Sequence, residues 1–205
     1  MFFCKLEGTN GSNIVVMAEK TDERALVERF NGGDDGAFER IVEIHSEGVG
    51  VLANRLLCWG GDVEDVVQDV FLAAFVGLKK FRFQCSLKTW LFTITINKCR
   101  THRYKRMLRL RRRRGMAENC AAGGKDAAGR VLDAERFAGV RRAVERLPMR
   151  YREPVVLRYL EDLETDEISR VLGISKNALQ VRLSRARKLL KGHLAGVIDE
   201  RTSYE

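Results

Sequence analysis

Apolar residues recur at helical spacing along most of the 205-residue chain, and no segment alternates apolar and polar residues as a half-buried strand would. The most regular segment starts after Asp62 and has an apolar side chain every three or four positions. Its apolar positions are Val63, Val66, Val67, Val70, Phe71, Ala74, Phe75 and Leu78. Only two prolines interrupt the whole sequence, so the pattern predicts an all-α protein.

The predicted helices fall into two groups separated by a segment without apolar periodicity. Residues 112–131 include GMAENCAAGGKDAAGR, a composition typical of a flexible linker. We therefore expect two small helical domains, over residues 21–111 and 132–195. The tails would be residues 1–20 and 196–205.

Several residues mark predicted helix ends. Asp62 is expected to cap the periodic helix described above, and Ser86 to cap the next one, because short polar side chains accept hydrogen bonds from free backbone N–H groups. A later helix should contain Pro154 in its first turn, where the missing N–H costs little.

The segment Leu163 to Leu190, LETDEISRVLGISKNALQVRLSRARKLL, predicts a helix-turn-helix. Thr165 would cap its first helix, Gly173 would end that helix in a left-handed conformation, and Ser175 would cap the second. At 100° per residue the second helix has an inward arc of Leu179, Leu183, Ala186 and Leu190. The opposite arc contains Asn177, Gln180, Val181, Ser184, Arg185 and Lys188. Six cations and no acid lie between Lys176 and Lys191, which favours insertion into the major groove of DNA.

The charge balance also indicates an anionic partner. The formal net charge is +9, and the stretch from Lys98 to Arg114 contains ten cations and no acid. The run Arg106–Arg114 is open to two interpretations, a DNA-phosphate clamp or a solvated basic tail. No apolar run approaches the roughly 18 residues of a membrane span, and no signal peptide is recognised, so we expect a cytoplasmic protein without membrane insertion.

Neither a metal site nor an enzyme active site is expected. The five cysteines are scattered, which is typical of reduced thiols, and Cys99 with His102 lacks the second ligand pair of a zinc site. A metal cluster at Asp62, Asp65 and Asp69 is disfavoured because no further ligands converge there. Phosphate-binding loops, H-E-x-x-H pairs and His/carboxylate clusters are also missing from the sequence, so we expect no cofactor and no enzymatic activity.

The ordered set of segments resembles the extracytoplasmic-function (ECF) sigma factors of the sigma-70 family, which direct bacterial RNA polymerase to promoters. The resemblance rests on DVEDVVQDVFLAAF from Asp62, SLKTWLFTITINKCRTHRYKR from Ser86, and LPMRYREPVVLRYLEDLETDEISRVLGISKNALQVRLSRARKLL from Leu147. It covers the chain from about Leu26 to Leu194, apart from most of the linker.

The resemblance implies three binding surfaces. The first would dock on the clamp coiled coil of the largest polymerase subunit, through Asp62, Glu64, Asp65, Gln68 and Asp69. The second would engage the −10 promoter element as a single strand, through Phe83, Gln84, Ser86, Asn97, Arg100 and Arg103. The third would bind the −35 element as a duplex, through Asn177, Gln180, Val181, Ser184, Arg185 and Lys188. Phe83 could instead be a core side chain, and Trp90 is expected in the core.

The resemblance further implies an anti-sigma factor as a partner, and it offers the Arg106–Arg114 run a path inside the polymerase. Val181 and Gln180 depart from the residue types common in the family at these positions, which leaves the promoter sequence open. The alternative function is a helix-turn-helix activator or repressor that is no polymerase subunit. That alternative leaves the acidic face after Asp62 unexplained.

Overall fold

The described parts of the chain form α-helices joined by short loops. The structure is a computed structural model that describes residues 23–58, 62–114 and 133–199. Its helices are α1 (Glu23–Asn31), α2 (Asp35–Leu56), α3 (Val63–Leu78), α4 (Leu87–Arg114), α5 (Asp133–Glu145), α6 (Met149–Tyr159), α7 (Thr165–Leu172) and α8 (Lys176–Asp199). The prediction of an all-α fold is confirmed. None of these helices is long and apolar enough to cross a membrane.

The first bundle consists of α1 to α4, with α2 and α4 each packed against α3. Its centre is formed by large side chains that are fully buried: Ile41, Leu52, Leu56, Leu78, Leu87, Leu91, Phe92 and Ile96. Trp90 is partly buried against this core, as predicted. Helix α4 continues to Arg114, into the first residues of the predicted linker.

The apolar face of α3 is mostly buried, with one exception. Val66, Val70 and Leu78 pack into the core, whereas Phe75 keeps 43% of its surface exposed. The Phe75 ring still contacts Phe30, with a centroid distance of 5.1 Å in edge-to-face geometry. The helical spacing of the sequence therefore identified the packed face of α3 correctly. It overestimated the burial of Phe75, which lies at the edge of that face.

The second bundle consists of α5 to α8, in which α8 packs against α5, α6 and α7. Helix α6 begins after Pro148, which is its extended N-cap residue, and Pro154 lies inside the helix. The prediction that Pro154 sits in the first turn is wrong, because the helix starts one turn earlier than expected. Pro154 consequently provides no N–H for the Arg150 carbonyl.

The two bundles pack against each other, with α6 contacting α2 and α7 contacting α4. Arg152 of α6 is buried between them, with only 3% of its surface exposed. Its guanidinium donates to the carbonyls of Val144, Glu145 and Leu147 in its own bundle, and to the Leu56 carbonyl of the other at 3.2 Å. Because a buried guanidinium requires acceptors, Arg152 ties the end of α2 to the second bundle.

Candidate polymerase and promoter-DNA interfaces

Helix α3 presents an acidic face to solvent. Glu64, Asp65, Gln68 and Asp69 are all exposed, opposite the buried Val66 and Val70. Side chains of one helical face repeat every three or four residues, so these four lie side by side over the first two turns. Negative charge in the first turn also suits the helix dipole. The face therefore offers carboxylates to a basic partner without weakening the helix.

Asp62 belongs to this face only at its edge. It is the N-cap residue of α3, but it adopts a left-handed conformation and its side chain makes no capping hydrogen bond. Its Oδ2 instead lies 2.9 Å from His102 Nε2 on α4. The predicted capping contact is therefore wrong, and the pairing with a residue 40 positions away could not be foreseen from local sequence. Among the described residues no group of ligands forms a metal site.

The acidic face continues into an apolar one that the sequence pattern did not single out. Leu72 and Val76 are 60% and 75% exposed on the later turns of α3, next to the half-exposed Phe75. A large exposed apolar patch often marks an interaction site. The sequence signal that could have identified this patch is that α3 contains more apolar residues than one helical face can bury.

The loop before α4 exposes an aromatic ring on a strained backbone. Phe83 has a φ of +53° and is 36% exposed. Its ring centroid lies 4.8 Å from that of Phe81, which in turn lies 5.1 Å from Trp90. The guanidinium carbon of Arg24 lies 5.4 Å from the Phe83 centroid. Phe83 is thus the exposed member of a cluster of three tilted aromatic rings.

The polar members of the loop differ in their engagement. Gln84 is exposed. Ser86 is exposed as well, but its Oγ accepts the Thr89 backbone N–H at 3.1 Å, which confirms its predicted role as the cap of α4. Sequence analysis did not identify Arg24, whose position over Phe83 depends on the packing of α1 on the distant loop.

Asn97, Arg100 and Arg103 lie on one face of α4, as their spacing predicts. Asn97 is exposed, whereas both arginines are partly buried by α6. Arg100 donates to both carboxylate oxygens of Glu153, at 2.7 Å from Nε and 2.6 Å from Nη2. This contact raises the pKa of Arg100 above its usual value. Arg103 Nη1 lies 3.2 Å from the Met149 sulfur. The three residues therefore share a surface, part of which the second bundle covers.

Helices α7 and α8 form the predicted helix-turn-helix. Gly173 ends α7 with a φ of +66°, and the Ile174 N–H donates to the Ser169 carbonyl at 3.0 Å. Ser175 Oγ accepts the Ala178 N–H at 3.2 Å, which confirms the predicted cap of α8. The predicted cap at Thr165 is wrong, since Thr165 is the first helical residue.

Glu164 is the N-cap residue of α7 instead. Its backbone N–H donates to the Glu167 carboxylate at 3.1 Å. The helix therefore starts at Thr165, one residue earlier than it would if Thr165 were the cap. Lys176, the first residue of α8, lies 2.6 Å from Asp166 and holds the pKa of that carboxyl below its usual value. The turn is thus closed by local contacts on both sides.

The outer face of α8 is open to solvent along its whole predicted length. Leu179, Leu183 and Ala186 form the buried seam. Every predicted contact residue is exposed: Asn177, Gln180, Val181, Ser184, Arg185 and Lys188. Val181 keeps 49% of its surface accessible although it is apolar. Hydrogen-bonding groups, a methyl-bearing side chain and cations without any acid suit the base edges and phosphates of a major groove.

Comparison with known proteins identifies the family to which the chain is similar. The profile of sigma-70 region 2 matches residues 41–114, and that of sigma-70 region 4 matches residues 138–190. The chain is 29% identical to the ECF RNA polymerase sigma-E factor of Escherichia coli K12 over 194 residues, which covers 89% of this chain and 99% of that protein. It is 27% identical to the ECF RNA polymerase sigma factor SigW of Bacillus subtilis, over 82% of this chain and 94% of SigW.

Two solved structures share the fold. One is CnrH in complex with the cytosolic domain of CnrY, at 30% identity and a TM-score of 0.60, over 85% of this chain and 97% of CnrH. The other is the sigma factor RpoE of Bartonella quintana in complex with the anti-sigma factor NepR, at 24% identity and a TM-score of 0.60, over 77% and 96%. The chain therefore belongs to the extracytoplasmic-function sigma factors of the sigma-70 family.

Proposed function

We propose that this RNA polymerase sigma factor uses three separate surfaces to start transcription: the acidic face of α3 for polymerase, the α4 surface with its preceding loop for the −10 element, and the outer face of α8 for the −35 element. The observation that supports the proposal most is the outer face of α8, whose six predicted contact residues are all exposed, include no acid and lie opposite a buried seam. The family supplies the assignment of each surface to its partner.

Docking on polymerase is assigned to Asp62, Glu64, Asp65, Gln68 and Asp69, with the clamp coiled coil of the largest subunit as the partner. Their carboxylates require a basic surface, and charge complementarity would set the register of docking. We extend the assignment to Leu72 and Val76, because their exposure on the same helix supplies apolar area that charged groups alone do not.

Single-stranded −10 DNA is assigned to Phe83, Gln84, Ser86, Asn97, Arg100 and Arg103. A flipped base needs a stacking surface and polar groups at its edge. The exposed part of the Phe83 ring and the exposed Gln84 are the candidates for these two roles. Because the Ser86 hydroxyl already caps α4, its contact with a base would use its remaining hydrogen-bonding capacity.

Duplex −35 DNA is assigned to Asn177, Gln180, Val181, Ser184, Arg185 and Lys188. Arg185 is the candidate reader of guanine, Gln180 that of adenine, and Val181 can contact a thymine methyl group. Lys188 is positioned a turn later and suits a backbone phosphate.

Regulation by an anti-sigma factor is part of the proposal. The Bartonella quintana relative of the same fold was solved with the anti-sigma factor NepR. We further propose that the chain acts in the cytoplasm, where polymerase is found, and that it has no catalytic activity of its own. The domain boundaries at residues 21–111 and 132–195 and the flexible linker between them remain proposals.

The proposal is tested by run-off transcription with sigma-free bacterial polymerase core on fragments of genomic DNA. Wild-type protein should produce transcripts with defined start sites. The double variant Asp65→Lys/Asp69→Lys should lose core binding and transcription, because like charges would then face a basic partner.

The matched control is Asp35→Lys/Glu39→Lys, which reverses two exposed acids at the same spacing in the first turns of α2. It should transcribe as the wild type does. Random start sites with wild-type protein would contradict the sigma function itself, whereas normal core binding by Asp65→Lys/Asp69→Lys would contradict only the docking assignment.

A further inference from the structure

An arginine of α1 lies against the exposed aromatic ring of the proposed −10 loop. The guanidinium carbon of Arg24 is 5.4 Å from the centroid of the Phe83 ring, which is itself 36% exposed. The Arg24 side chain is 70% exposed, so a base placed on the exposed part of the ring comes within reach of the guanidinium. Flat arginine cations attract both aromatic rings and unpaired bases. The surroundings of Phe83 therefore include hydrogen-bond donors that the loop itself does not provide.

The position of Arg24 is fixed by the residue before it. Glu23, the first residue of α1, accepts the Leu87 backbone N–H at 3.3 Å, at the start of α4. The other oxygen of this carboxylate lies 3.4 Å from Nε2 of His45, a side chain of α2 that is only 11% exposed. Because Glu23 ties the start of α1 to the start of α4, Arg24 is held beside the loop that precedes α4.

Arg24 has an ion-pair partner that it can release at small cost. Its Nε donates to the Glu28 carboxylate at 3.0 Å, one turn further along the same helix, and both side chains are well exposed. Exposed pairs at this spacing contribute little to stability, because water competes for both groups. A bound nucleotide can therefore take over donors of the guanidinium without weakening α1.

The loop has its own cations for the phosphates of a DNA strand. Four exposed cations accompany Phe83 in and beside the loop: Lys79, Lys80, Arg82 and Lys88. No acid occurs between residues 79 and 90. In a bound single strand a captured base stacks on the aromatic side chain, whereas the cations follow the phosphate backbone. Arg24 lies over the ring, so its position suits the edge of a base rather than a phosphate.

We propose that Arg24 is a specificity-determining residue of the −10 site, which donates hydrogen bonds to the edge of the base captured at Phe83. The inference rests on the proposed −10 role of Phe83. A guanidinium only donates, so it favours a base with two neighbouring acceptors. Guanine has such a pair at O6 and N7, and cytosine has one at N3 and O2, whereas the corresponding edges of adenine and thymine combine an acceptor with a donor. The captured position should therefore prefer guanine or cytosine.

The test uses holoenzyme reconstituted from the full-length chain and sigma-free polymerase core. It is mixed with a pool of single-stranded 20-mers randomised at eight central positions, and the retained strands are sequenced, with core alone as the background. Wild-type holoenzyme should enrich guanine or cytosine at one position. Arg24→Ala should lower that preference by about five-fold or more, the size expected for a lost pair of base contacts, and leave the other positions unchanged.

Two further variants separate a base contact from a phosphate contact. Arg24→Lys keeps the charge but loses the planar pair of donors, so it should lower the base preference as Arg24→Ala does and keep the salt dependence of binding. Arg40→Ala is the matched control, because Arg40 is 57% exposed and pairs with Glu43 within its own helix. It should change neither the base preference nor the salt dependence.

Circular dichroism and retained core binding establish that the variants are folded. An unchanged profile in Arg24→Ala overturns the inference, and so does an equal loss of binding on every sequence, which would make Arg24 a phosphate contact. Enrichment of adenine or thymine at the position that depends on Phe83 overturns it as well.

Phe83→Ala tests the proposed function separately, and it should lose the preference at the same position as Arg24→Ala. If Phe83→Ala leaves the profile intact, the −10 role of Phe83 fails and the inference fails with it. If Phe83→Ala loses the preference while Arg24→Ala keeps it, only the role of Arg24 is rejected and the proposed function survives.

Discussion

The two proposed promoter-reading surfaces differ in how they are presented. The outer face of α8 is exposed from Asn177 to Lys188. Within the described residues, no acidic side chain pairs with its cations. The α4 surface has the same excess of cations, yet Arg100 is paired with Glu153 and Arg103 lies against Met149. Similar local sequence thus yields one surface that is ready and one that is occupied.

The difference shows that positive charge alone does not define an available DNA site. In α8 the buried seam faces inward and leaves the cations to solvent. In α4 the side of the helix that points away from its own bundle core faces the second bundle, and the second bundle contributes a carboxylate that pairs with an α4 cation. Availability depends on a tertiary contact between residues 53 positions apart.

The largest contrast between the two surfaces is expected for Leu179→Ala. Leu179 is fully buried in the seam of α8, and such a truncation costs about 2–5 kcal/mol. Loss of the second bundle should abolish duplex binding and at the same time strengthen single-strand binding, since α4 is uncovered. Leu189 of the same helix is 37% exposed. Leu189→Ala is therefore the control and should change the free energy of unfolding by under about 0.5 kcal/mol. If Leu179→Ala weakens the binding of duplex DNA and of single-stranded DNA alike, the proposed difference between the two surfaces is wrong.

The reactivity of the Cys99 thiol on α4 measures whether the α4 surface is covered. Burial, followed by the nearby Glu153 charge, raises the pKa of its thiol to about 12. Because the thiolate is the reactive form, alkylation at pH 8 should be at least about a hundred-fold slower than in the denatured chain. Glu153→Gln should accelerate it, by lowering the pKa and admitting the reagent.

Mass mapping after iodoacetamide treatment measures the Cys99 reaction, with the less buried Cys85 as an internal standard. Equal rates for the two thiols in the wild-type chain would mean that α4 is not covered.

Arg185→Ala should weaken binding to a promoter duplex by about 1–3 kcal/mol and relax the preference for one base, if Arg185 reads that base. The loss should be the same in the Glu153→Gln background, because independent sites add. Electrophoretic mobility shifts on matched and substituted promoters provide the measurement, with the exposed Arg142 of α5 replaced by alanine as the control. A uniform loss on every sequence would reassign Arg185 to a phosphate.

The smallest effect is expected for Lys188→Ala. A lysine that contacts a phosphate contributes to affinity without reading sequence, so its removal should lower the slope of log affinity against log salt by about 1. Duplex binding measured from low to moderate salt gives this slope. If the slope is unchanged, Lys188 lies outside the duplex contact.

Local features of the fold were predictable and distant ones were not. Ser86, Gly173 and Ser175 end or begin helices as predicted, because their effect depends on the neighbouring backbone alone. Asp62 occupies its predicted position, but its carboxylate turns to His102, a partner supplied by packing.

The same distinction applies to the proposed sites. All six predicted residues of α8 are exposed, because helical periodicity decides which face is outward once the seam is known. The exposure of Leu72 and Val76, the left-handed backbone of Phe83 and the approach of Glu153 to Arg100 depend on tertiary structure. No pattern within one helix contains that information.

The most direct test of the closed and open surfaces is the distance between the two bundles in solution. Fluorophores attached through unnatural amino acids at the exposed positions Glu39 on α2 and Lys188 on α8 allow single-molecule energy transfer with all native cysteines kept. Arg55 of α2 pairs with Glu161 of the second bundle at 2.7 Å. The account predicts one narrow, short-distance population for the free chain and a longer distance for Arg55→Ala, which removes this ion pair. A free chain with a broad distribution of distances, unchanged by Arg55→Ala, would contradict it.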